Sequence, residues 1–111
     1  AGDKETPSRS TALDLPSPEV AEFLLQSVCR MFVQEECYVY QLGRHEDLYQ
    51  VRKDDMTITV RREGGKVTLA CGEDDYEFAR LILLEALANL TTVFEGLRRM
   101  QSNPDVRRGV L

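Results

Sequence analysis

The amino-acid sequence predicts an α+β fold: a four-stranded antiparallel sheet with an N-terminal helix and a long C-terminal helix packed on one face, in the order α-β-β-β-β-α. Three observations predict it. Apolar residues recur at three- and four-residue spacing before residue 35 and again after residue 75. Between those stretches the period drops to two, through CYVYQL, DLYQVRK, MTITVRR and KVTLACG. A glycine pair, Gly64-Gly65, separates the last two alternating runs and marks a tight hairpin.

In chain order, residues 1–16 are rich in Ser, Thr, Pro and charge without an apolar period, and read as a flexible N-terminal tail. Leu13 and Leu15 are its side chains able to dock on the domain. One domain follows, residues 17–101, because 111 residues suffice for a single core; residues 102–111 read as a C-terminal tail. The first helix starts at SPEV. Ser17 caps it, Pro18 suits the first helical position because its missing N–H would have been unpaired, and Glu19 complements the dipole. It should run to about Gln34, with Val20, Phe23, Leu24, Ser27, Val28 and Met31 as its buried stripe. Leu25, Cys29 and Phe32 widen that stripe.

The four strands are joined by GRHE, by an acidic turn at Asp54-Asp55, and by the glycine pair, where glycine supplies a positive φ. A two-residue loop there sets Val60 opposite Leu69 and Ile58 opposite Cys71 on one face. Thr59 then stands opposite Ala70, and Arg61 opposite Thr68, on the other. A one-residue slip would send Ile58, Val60 and Leu69 into water.

Asp74 followed by Glu77 resembles a capping box, and a helix from about Asp75 to Met100 follows. Its main stripe is Ala79, Leu83, Ala86, Leu87, Leu90, Phe94 and Leu97; Arg98 and Arg99 complement its C-terminal dipole, and Asn103-Pro104 closes the segment. Leu81, Leu84 and Ala88 fall on the opposite side, rimmed by Arg80, Glu77, Glu85 and Thr92. That second apolar face is covered either within the chain, by the first helix or by Leu13 and Leu15, or by a partner. For a partner, antiparallel pairing of two such helices across a twofold axis is the simplest closed arrangement and makes a homodimer.

Composition narrows the chemistry. The net charge of −5 argues against binding nucleic acid by bulk electrostatics, which requires lysine and arginine to displace counterions. A local patch remains: Arg52, Arg61 and Arg62 come from neighbouring strands together with Thr57, Thr59 and Thr68. Sheets that read single-stranded RNA offer aromatics for stacking, and Tyr38 and Tyr40 share one face, inner or outer. The plainer reading is a solvated β face with its arginines paired to Glu63 or Asp55.

GRHED, residues 43–47, sets the lone His45 beside two carboxylates, yet it is not HExxH and no second histidine or nucleophile motif accompanies it. A solvated loop is expected there, with no catalytic residue. Neither GxGxxG nor GxxxxGK occurs, so no nucleotide cofactor is expected. Cys29, Cys37 and Cys71 lack CxxC spacing, so neither a disulfide framework nor a metal site is expected, and Cys29 and Cys71 read as small buried hydrophobes in a reducing compartment. No apolar run is long enough to span a bilayer and no leader pattern opens the chain, which points to a cytoplasmic or otherwise intracellular protein without a membrane partner.

The order helix, antiparallel strands, helix is similar in outline to double-stranded-RNA-binding domains, and TLACGEDDYEFARLILLEALANL resembles their final strand running into an alanine-rich helix. The basic residues that such domains place at the start of that helix are here Glu73, Asp74 and Asp75. The outline is also similar to RWD-type interaction domains, without their YPxxxPP turn. Both resemblances concern topology, which does not determine function. The functional expectation is a non-enzymatic protein–protein interaction domain, an adaptor, regulatory subunit or acidic chaperone-like module, self-associating through Leu81, Leu84, Ala88, Arg80 and Glu85. The alternative is a nucleic-acid-binding domain using Arg52, Arg61, Arg62, Thr57 and Thr59.

Overall fold

A computed structural model describes residues 8–44 and 47–102, the last six of these by backbone only. His45, the tail beyond Ser102, and the side chains of Leu97, Arg98 and Arg99 therefore lie outside the described residues. The chain folds as β1 (Ser8–Asp14), α1 (Pro18–Gln34), β2 (Tyr38–Gln41), β3 (Leu48–Lys53), β4 (Met56–Glu63), β5 (Lys66–Gly72), a 3₁₀ turn (Glu73–Asp75) and α2 (Tyr76–Ser102).

The sheet is antiparallel but has five strands rather than four, in the order β1-β5-β4-β3-β2. The additional strand comes from the stretch read as a tail. Ser8–Asp14 pairs along its whole length with β5, from Ser8 opposite Gly72 to Asp14 opposite Lys66. SRSTALD carries a single large apolar side chain, so this pairing rests on the backbone ladder rather than on an apolar pattern. Two side-chain contacts add to it. Arg9 donates to Glu73 at 3.0 Å, and its guanidinium lies 4.0 Å from the centre of the Tyr76 ring.

The β4–β5 hairpin has the expected register: Ile58 opposite Cys71, Thr59 opposite Ala70, Val60 opposite Leu69, and Arg61 opposite Thr68. Gly64 has φ +59° in its two-residue loop, as a type II′ turn requires of its first central residue. Leu15 N–H donates to Gly65 O at 2.7 Å, and a Cβ on Gly65 would stand 3.0 Å from Leu15 O. The chain leaving β1 thus passes tightly over the hairpin tip on its way into α1.

Both helices cover one face of the sheet. The inward side chains Val51, Ile58, Val60, Val67, Leu69 and Cys71 meet Leu24, Leu25, Val28 and Phe32 of α1 and Ala79, Ile82, Leu83, Ala86 and Leu90 of α2 in one buried cluster. Phe32 and Phe78 join the helices edge to face, with ring centres 5.8 Å apart. Ser17 caps α1 as expected, its hydroxyl accepting from Val20 N–H at 3.2 Å. At α2 no capping box forms. The chain enters through the 3₁₀ turn, whose cap is Gly72 without a side-chain bond.

Two stripes need correction. In α1 the buried face is turned toward Ala21, Leu25 and Phe32, while Phe23 is 53% exposed and Val20, Ser27 and Met31 are half-buried. The expected stripe straddles two environments, the sheet on one side and a groove beside α2 on the other. In α2, Ile82 joins the buried residues, while Leu87 and Phe94 are only partly covered.

Candidate functional site

Three surfaces hold the residues singled out by the sequence. The first is the outer side of α2. Leu81 is 61% exposed, Leu84 is 38% exposed and Ala88 is exposed, with Arg80 and Glu85 exposed beside them. Leu81 keeps most of its surface open, and Leu84 more than a third. Leu13 and Leu15, the alternative cover, pack instead against the core cluster. Further along the same side, the Thr91 hydroxyl donates to Leu87 O at 3.0 Å and the Thr92 hydroxyl to Ala88 O at 3.1 Å. Both hydroxyls are satisfied within the helix, so covering this side of α2 orphans neither of them.

The second surface was not foreseen. A groove of about 280 Å³ opens between α1 and α2, with Phe23, Met31, Leu90 and Val93 as its apolar lining. Ser27, Arg30, Gln34 and Asn89 complete it. Spacing alone assigns Phe23, Ser27 and Met31 to the core. The helical period identifies a face, but one helix read alone does not show how much of that face its neighbour covers.

The third surface is the open face of the sheet, opposite the helices. Alternation places Thr57, Thr59 and Arg61 of β4 and Arg52 of β3 on it. Tyr38, opposite Arg52, and Tyr40, opposite Gln50, point the same way. The question left open by the sequence is thereby answered: the tyrosines face outward, 75% and 42% exposed. Tyr40 OH donates to Gln50 Oε1 at 2.6 Å, and Arg61 stands 3.8 Å from Glu63.

Arg62 does not join them. It shares the helix-side face with Ile58 and Val60 and is held by both Asp47 carboxylate oxygens, at 3.1 and 2.8 Å, and by Gly64 O at 2.8 Å. A bidentate guanidinium–carboxylate pair of this kind anchors the strand ends and leaves little of Arg62 for a ligand. The basic patch on the sheet is therefore two arginines, Arg52 and Arg61, with one of them beside a glutamate.

A polar hollow of about 380 Å³ lies between α1 and the ends of β2 and β3, lined by Glu22, Leu25, Gln26, Gln41, Asp47 and Tyr49. Asp47 is already engaged by Arg62. The thiols point away from nucleophilic chemistry. Burial pushes Cys29 up to about 11, and burial likewise raises Cys37 and Cys71. A nucleophilic cysteine needs the opposite shift. Among the described residues no three His, Cys, Asp or Glu side chains gather as metal ligands, and no helix is long and apolar enough to cross a membrane. Comparison with family models, with curated proteins and with solved structures gives no match.

Proposed function

We propose that this chain is a non-enzymatic protein-interaction domain, an adaptor, regulatory subunit or acidic chaperone-like module, that self-associates through the outer side of α2. The observation that carries this reading is the exposure of Leu81 and Leu84 on a helix whose other side already packs into the core. Ala88 lets a second backbone come close between them and the satisfied Thr91 and Thr92, while Arg80 and Glu85 form a charged rim. The smallest assembly is a homodimer. Three free, largely covered cysteines suit a reducing intracellular compartment.

The test is molar mass by light scattering during size-exclusion chromatography. Wild type is expected above monomer mass, and Leu84→Glu at monomer mass with its helical circular dichroism retained. A wild type that is monomeric at high concentration overturns self-association; a Leu84→Glu chain that unfolds assigns Leu84 to the core.

A second reading is favoured by one observation, the outward Tyr38 and Tyr40 on the face that carries Arg52 and Arg61. It would make the sheet a single-stranded nucleic-acid platform. The net charge and the acidic turn Glu73–Asp75 at the end of β5 weigh against it, and no duplex RNA or DNA binding is expected at physiological salt. Micromolar binding that Arg52→Glu weakens would promote this reading over the first.

A further inference from the structure

The helix layer carries two apolar features of opposite shape. One is a ridge, Leu81 and Leu84 on the outer side of α2. The other is the groove between α1 and α2, where Phe23 and Val93 stand about half exposed over a floor of Leu90. The ridge is short enough to fit within the groove. From Leu81 to Ala88 the ridge runs about 10 Å at 1.5 Å per residue, and the α1 wall from Phe23 to Gln34 about 16 Å. An apolar cavity of roughly 150 Å³ accepts one benzene-sized group, so a groove of about 280 Å³ has room for about two leucine side chains.

Their charges match as well. Acidic residues make up 19 of the 111, yet none of the eight groove-lining residues is acidic. The one charged residue among them is Arg30, which has no acidic partner among the described residues. The ridge is flanked by exposed Glu77 and Glu85 and by one exposed cation, Arg80, so carboxylates outnumber guanidinium around it. Pairing ridge against ridge about a twofold axis through the middle of the patch would instead set Glu85 beside Glu85 of the second copy. That repulsion is small, but it disfavours like-with-like pairing, whereas Arg30 and Glu85 favour the unlike pair.

Resting on the reading of the outer side of α2 as a self-association surface, we infer that its ridge docks into the α1/α2 groove of a second copy of this chain. The contact joins unlike surfaces. Each copy keeps a free groove or a free ridge, so association continues past a pair unless the rotation closes a ring.

Complementation between monomeric variants tests this. Leu84→Glu destroys the ridge and keeps the groove. Val93→Glu, or Arg30→Glu as a milder variant at another exposed position, damages the groove and keeps the ridge. Circular dichroism establishes that each is folded. Wild-type mass should rise with concentration beyond that of a pair, and each variant alone should stay at monomer mass. An equimolar mixture of Leu84→Glu and Val93→Glu should form a 1:1 complex and stop there, because one intact ridge meets one intact groove. A mixture that stays monomeric overturns the inference. So do groove variants that associate like wild type while Leu84→Glu does not; in that case self-association through the outer side of α2 stands and only its receiving surface is wrong. A monomeric wild type removes both readings.

Discussion

Leu83 and Leu84 are neighbours in sequence with the same side chain, and they have opposite surroundings. Leu83 is fully buried between α2 and the sheet; Leu84 looks outward. Successive residues on a helix are turned by 100°, so adjacent leucines cannot both face one sheet. The contrast separates what holds the fold together from what is left for a partner. Hydropathy alone cannot make that separation, because it scores the two residues alike.

The largest expected effect lies on the inner side. Leu83→Ala should lower unfolding free energy by about 2–5 kcal/mol, since it removes buried methyl groups and leaves a cavity the surrounding helices and strands fill only in part. Urea denaturation followed by circular dichroism measures it. A loss under about 1 kcal/mol would mean that the inner side of α2 is not packed as described.

Cys29 sharpens the comparison because it is half-covered, between the two extremes. Its folded-state value is about 11 against an ordinary 9.0, with burial as the cause. Below pH 9 the thiol is protonated in both folded and unfolded chains, so it contributes no pH dependence. Between 9 and 11 the unfolded chain loses its proton first and stability falls. With partial screening by water at the helix rim, the effect is on the order of 1–2 kcal/mol. Urea midpoints at pH 8 and pH 10.5 should therefore separate more for wild type than for Cys29→Ala. Equal separations in the two proteins would show that Cys29 is well hydrated.

The smallest effect is expected for Leu84→Ala on the dissociated chain, within about 0.5 kcal/mol as for other exposed substitutions. Measured at a concentration where the chain associates, the same substitution should cost more, because anything that binds only the folded state adds to stability by mass action. A concentration-independent loss of the size expected for Leu83→Ala would erase the distinction between the two leucines.

The middle of the sheet and its β1 edge show a similar divide in what the sequence reveals. At the β4–β5 hairpin, alternation, two glycines and the penalty for exposing Ile58, Val60 and Leu69 all demand one register, which is the register found. At β1, Ser, Thr and Asp dominate, Leu13 is the single large apolar residue, and no residue is fully buried. A backbone ladder supplied by the free edge of β5 makes that segment a strand, and a ladder leaves no mark in side-chain pattern.

By itself, the sequence determined two helices, the central antiparallel strands, the capped start of α1 at Ser17 and the inner side of α2, because each is dictated by local periodicity or by a turn residue. It also marked Leu81, Leu84 and Ala88 as residues that the core does not need. Tertiary structure alone decided that Ser8–Asp14 completes the sheet and that Arg62 finds its partner in Asp47. It also decided that Phe23 and Met31 line a groove instead of the core. These outcomes depend on which surface stands opposite a residue across space. That is set by the packing of elements distant in the chain, and no period within a single segment records it.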